Sequence, residues 1–202
     1  LRQGSPMSSL FGFSLPSSAQ VANQMGRDVT LSAVDLGRMP GLMSAVNDLC
    51  LAMQGGQQQA VAKARNYALS FTNVFSQETP SPYIDLGSFV QLLQQTNTGS
   101  EVKAAAANVL TALQSAVVAE KHGMGKQGAT GMAIYYPNST LYRTPATGPS
   151  SYTVIADQFA RTSLWDDFLA FHYTGRAFEA TAQQAAVPSA SAAVSGPGQS
   201  EL

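Results

Sequence analysis

The chain has 202 residues, enough for one sizeable hydrophobic core or two small ones. Charged residues make up only 11%, with 11 basic against 12 acidic and a net charge of −1, which excludes the electrostatic footprint of a nucleic-acid binder. No run approaches the roughly 18 apolar residues needed to cross a bilayer as a helix, and the single cysteine, Cys50, excludes an internal disulfide.

Ala, Ser, Gln, Thr and Gly fill the place of the missing charges, a surface chemistry that favours an exported or cell-envelope protein or a part of a larger assembly. Leu1 to Met7 carries neither an initiator methionine nor the basic and apolar blocks of a signal peptide, so a piece of a longer protein is expected. Residues 1–15 read as an irregular lead-in, followed by a short helix over 17–25 capped by Ser17 or Ser18. The next stretch, Val29-Thr-Leu-Ser-Ala-Val-Asp-Leu36, alternates β-formers and then changes period at Asp35. From Leu36 the spacing of Met39, Met43, Val46, Cys50 and Met53 predicts an amphipathic helix, ended by Gly55-Gly56. Val61, Ala64, Tyr67, Ala68, Phe71 and Phe75 predict a helix over 57–75, broken by Thr79-Pro-Ser-Pro82.

Tyr83-Ile-Asp-Leu86 reads as the opening of another helix with Asp85 as its cap, and Asn97-Thr-Gly99 as the turn after it. An alanine-rich helix is predicted over 101–119. Glycines punctuate a loop over 120–130, a strand follows at Gly131-Met-Ala-Ile-Tyr-Tyr-Pro137, and 138–151 is turn-rich. A short helix over 152–161 leads to Ser163-Leu-Trp-Asp166, read as a capping box for a last helix that Gly175 stops. Residues 1–176 therefore form the folded part, helix-rich with at least two strands and so α/β. Residues 177–202 read as a disordered Ala/Ser/Pro/Gly-rich tail.

The chemistry on offer is sparse. Cys50 lies on the apolar face of its helix, where a thiol is a small buried hydrophobe rather than a nucleophile. His172 sits in an aromatic helix face and reads as a packed histidine. His122, in Glu120-Lys-His-Gly-Met-Gly125, has the flexible setting of a catalytic base but no nucleophile beside it, and reads as a surface residue. Two histidines fifty residues apart make no zinc pattern. Asp166-Asp167 point about 100° apart on a helix and suit its N-terminal dipole rather than paired acid–base work. The glycines from Gly123 to Gly131 lack the spacing and the following helix of a phosphate loop. Asn138-Ser-Thr140 is a formal glycosylation sequon. No catalytic, cofactor-binding or metal-binding residue stands out.

Four stretches, taken in order, resemble the C-terminal half of the clostripain family of cysteine peptidases: Val29 to Leu36, Tyr83 to Leu86, Gly131 to Pro137, and Phe159-Ala-Arg-Thr-Ser-Leu-Trp-Asp-Asp-Phe-Leu169. The likeness covers residues 17–176. It implies a caspase-like α/β sandwich, helices flanking a mostly parallel sheet, of which this chain holds the C-terminal part. It also implies cleavage after basic residues by a His–Cys dyad lying upstream of the matched part, so no position here inherits a catalytic role. The partners it implies are the N-terminal part of the same protein and a peptide substrate, with no cofactor. A scaffold or binding module derived from the same fold is the other class of function expected. In either case a half-sheet without its partner should expose strand edges and apolar surface, and so favour self-association.

Overall fold

In a computed structural model, residues 30–71, 81–181 and 184 are described; the helix expected over 17–25 lies outside them. Strand β1 (Thr30–Val34) ends where the sequence changes period. There the Asp35 carboxylate accepts from the Gly37 N–H at 2.9 Å and starts a 3-10 turn, Leu36–Arg38. Helix α1 (Met39–Gly55) follows, with a proline in its first turn, where its missing N–H has no partner to lose. Leu42, Val46, Leu49, Cys50 and Met53 are its buried stripe. Leu36, expected on that stripe, is instead 78% exposed, because the tighter 3-10 turn rotates it away from the core.

Helix α2 (Gln58–Tyr67) stops well before the expected residue 75. The chain after it has a better use for its backbone: Leu69 O accepts from Asp85 N, Phe71 N donates to Tyr83 O, and Ser70 bridges to Ile84. Those contacts lie along β2 (Tyr83–Asp85), a strand where a helix start was expected. Helix α3 (Leu86–Gln95) begins directly after it, and Asp85 does cap it, accepting from Ser88 N at 2.8 Å. Gly99, in the predicted turn, takes φ +97°, a left-handed conformation that glycine reaches without strain.

Helix α4 (Ser100–Ala116) gives way to β3 (Val117–His122), so neither a helix to 119 nor a loop from 120 is present. Val117-Val118 are β-branched, and β1 supplies a backbone to pair with. Beyond a second 3-10 turn (Met124–Lys126), β4 (Ala133–Tyr135) occupies the centre of the predicted strand. Four short helices follow among the described residues: α5 (Ser139–Tyr142), α6 (Pro149–Ile155), α7 (Asp157–Thr162) and α8 (Trp165–Thr174). Gly175, at φ +75°, ends α8 as expected.

The fold is mixed α/β and helix-rich. The described strands form two two-stranded sheets, β1 with β3 and β2 with β4, and both are antiparallel. This corrects the expectation of a mostly parallel sheet, which no described strand pair joins. Helix α4 packs between α1 and α3, with α2 against α3 and α8 against α1. Their shared core holds Leu49, Met53, Val61, Phe89, Leu113 and Trp165, each with at most 1% of its surface exposed. Described residues past 176 contact the body: Phe178 exchanges two hydrogen bonds with the Gln54 side chain, and Gln184 donates to Ser163 O at 3.0 Å; the rest of the expected tail lies outside the described residues.

Candidate functional site

Cys50 sits in the middle of α1, fully buried. Burial pushes its thiol well above the ordinary value, and the charges of Asp166 and then Asp167 push in the same direction. A thiol so placed stays protonated and out of reach of substrate. We expect no reaction of the native chain with a thiol-specific disulfide reagent at pH 8 and one equivalent after denaturation; rapid native labelling would show the site to be open.

The two imidazoles serve other partners. His122 projects from β3, its Nδ1 at 2.9 Å from both carboxylate oxygens of Glu120, two residues earlier on the same strand face. That is a base with an orienting carboxylate, but the chain's only cysteine is sealed in α1. His172 bonds through Nδ1 to Gln58 Oε1 at 2.8 Å and lies edge-on against Tyr136. Burial, with the nearby Arg65 charge, lowers it to about 4, so it is neutral at physiological pH. It is a packed histidine, as its sequence setting indicated.

Asp166 and Asp167 diverge as their helical spacing requires. Asp167 accepts from Gln184. Asp166 keeps Oδ1 buried with no partner among the described residues, and burial followed by the Asp167 charge raises it to about 6. The expected capping box does not form: the cap of α8 is Leu164, Ser163 Oγ accepts from Trp165 N at 3.0 Å instead of from Asp166 N, and Ser163 N donates to Phe159 O. Asn138 caps α5, its Oδ1 accepting from Leu141 N at 2.8 Å. Among the described residues, no three His, Cys, Asp or Glu side chains converge as a metal centre needs, and no helix is long and apolar enough to cross a membrane.

Three features escaped the linear reading. The first is a polar latch. The fully buried Asp85 accepts from Ser88 N, Thr130 N and Thr130 Oγ1 at 2.7–2.8 Å, while Thr130 Oγ1 itself accepts from Gly87 N. A Cβ on Gly87 would stand 2.5 Å from the Thr130 side chain, so glycine is what lets the loop close on α3. The second is an aromatic knot in which Tyr136 and Trp165 meet each other and each meets both Phe89 and Phe168, with the Arg65 guanidinium bonded to the Tyr136 carbonyl.

The third is an apolar cleft of about 200 Å³ between α1, β4 and the α6–α7 segment, lined by Met39, Met43, Met132, Tyr152 and Phe159 among others. A smaller depression of about 180 Å³, lined by Thr30, Leu31, Phe71 and Gly131, shares Ala133 with it. The β1–β3 ribbon beside it is open on both faces, with Leu31 57% and Val118 66% exposed. The arrangement suits docking of apolar surface, and its residues form no nucleophile–base pair. In comparison with known proteins, the chain matches no family model, no curated protein and no solved structure.

Proposed function

We propose that this chain is the C-terminal, structural portion of a clostripain-like cysteine endopeptidase, whose His–Cys dyad lies upstream and cleaves after basic residues. One observation supports the reading above the others: the sole thiol is locked in the core while the β1–β3 ribbon lies open on both faces. A portion built to complete a larger body needs an open pairing surface and no nucleophile of its own. On this reading the mostly parallel sheet of the caspase-like sandwich is built by upstream strands, and the ribbon adds to its edge through free backbone groups. The exposed Leu31 and Val118 equally suit a non-catalytic module that binds another protein in the same way.

The test is hydrolysis of fluorogenic peptides with Arg or Lys before the scissile bond. The chain alone, Cys50→Ala and His122→Ala are expected to be equally inactive, and activity should appear on co-folding with the upstream portion of the parent protein. Activity of the chain alone that Cys50→Ala abolishes would overturn the reading. An upstream portion without a His–Cys pair would leave the binding module standing.

A further inference from the structure

We infer that Gly175 is a hinge and that the segment after it, held here against its own α1 by Gln54, is exchangeable: a second copy of the chain docks its Phe178 in the same place. The docking site reads a peptide in two ways. The Gln54 carboxamide accepts from Phe178 N at 2.8 Å and donates to Phe178 O at 3.1 Å, so one side chain pairs with both backbone groups of one residue, as a neighbouring strand would. The Phe178 ring meets Phe171 of α8 edge-on at a centroid separation of 6.2 Å. Beyond it Gln184, 6% exposed, donates to Ser163 O at 3.0 Å and to Asp167 Oδ2 at 3.3 Å. None of these contacts depends on which chain supplies the segment.

The turn before the segment is what lets it change chains. Gly175 takes φ +75°, and its N–H closes α8 on Phe171 O at 2.7 Å. Left-handed backbone there sends the chain back along α8, so that Phe178 lies beside Phe171 and Gln184 beside Ser163 and Asp167. Arg176 and Ala177, between hinge and anchor, are exposed. The sequence after the glycine, Arg176-Ala-Phe-Glu-Ala-Thr-Ala-Gln-Gln184, consists mostly of good helix formers. A right-handed residue 175 therefore lets α8 run on and carries Phe178 away from Gln54. The two arrangements differ at one glycine, and a short hinge of this kind is where identical segments exchange between copies. A second copy meets every demand of the site, because its segment is the one the site already holds. This surface is not the β1–β3 ribbon, so the inference stands apart from the peptidase reading.

Analytical ultracentrifugation of the full chain tests it. Gly175→Ala is expected to dimerise at a concentration about tenfold or more below that needed by the unsubstituted chain, since each exchanged dimer relieves two left-handed turns. A Cβ at 175 meets nothing within 4 Å, so the substitution leaves the body folded. Gly175→Asn, which tolerates left-handed backbone, should stay near the unsubstituted chain. Adding Phe178→Ala to Gly175→Ala should dissolve the dimer. Within the Gly175→Ala dimer, the Phe178 amide should keep the exchange protection it has in the unsubstituted monomer, because Gln54 of the second copy now holds it. The inference fails if Gly175→Ala dimerises no more readily than the unsubstituted chain, or if its dimer leaves the Phe178 amide unprotected. A dimer that survives Phe178→Ala forms through another surface, such as the open β1–β3 ribbon, and overturns it as well.

Discussion

Trp165→Ala is expected to lower the free energy of unfolding by about 3–5 kcal/mol, the range for removing a large aromatic side chain from a core that cannot collapse around the gap. Trp165 has no exposed surface and meets Phe89, Tyr136 and Phe168 at ring-centroid separations of 5.4–6.3 Å. Its indole N–H donates to the Tyr135 carbonyl at 2.6 Å, tying α8 to the end of β4. Trp165→Phe preserves most of the packing and leaves that carbonyl without its donor, at a cost of about 1–3 kcal/mol. Urea unfolding followed by far-ultraviolet circular dichroism compares the two, since the substitutions remove the chain's only tryptophan. Equal losses for both variants would mean that the hydrogen bond rather than the knot stabilises this end of the fold.

Asp85→Ala should cost a similar amount, about 3–5 kcal/mol. It strands the Ser88 N–H, whose bond to Asp85 is the helix cap worth ~1 kcal/mol, and two Thr130 donors in a buried setting, where each loss costs about 1–3 kcal/mol before relaxation. Ser88 N, Thr130 N and Thr130 Oγ1 all converge on its two oxygens. Asp85→Asn keeps the volume and one acceptor but turns an amide donor toward a donor, so a loss between the wild type and Asp85→Ala is expected. Chemical denaturation of the three proteins measures this ordering. Amide exchange adds a local readout: Thr130 and the first turn of α3 should lose protection in Asp85→Ala more than α4 does. Uniform loss across the molecule would show that the latch does not act locally.

The value of Asp85 was half legible in its neighbours. Asp before a leucine stripe marks a helix cap, and the cap is there. Its second duty, holding Thr130 from 45 residues away, has no local signature. The thiol and His172 were legible for the same reason as the cap: residues three and four apart on a helix share a face, so their company is written in the adjacent sequence. His122 kept its reading as a surface residue but moved from loop to strand, because its segment pairs with β1. The cleft had no linear signal, since its walls come from α1, β4 and α6–α7.

Helix periodicity, the breaks at Gly55-Gly56, Asn97-Thr98-Gly99 and Gly175, the cap at Asp85 and the inert placement of Cys50 follow from interactions spanning four residues or fewer. These are the features that the order of amino acids specifies unaided. Pairing of Thr30–Val34 with Val117–His122, of Tyr83–Asp85 with Ala133–Tyr135, and the antiparallel sense of both depend on segments some fifty to ninety residues apart. A strand satisfies none of its backbone hydrogen bonds by itself; all of them come from whichever segment the packed helices bring alongside. That is why Val117-Val118 left the α4 helix and Tyr83-Ile84 became a strand: each had a partner backbone within reach, which only the tertiary arrangement of α1, α3 and α4 supplied.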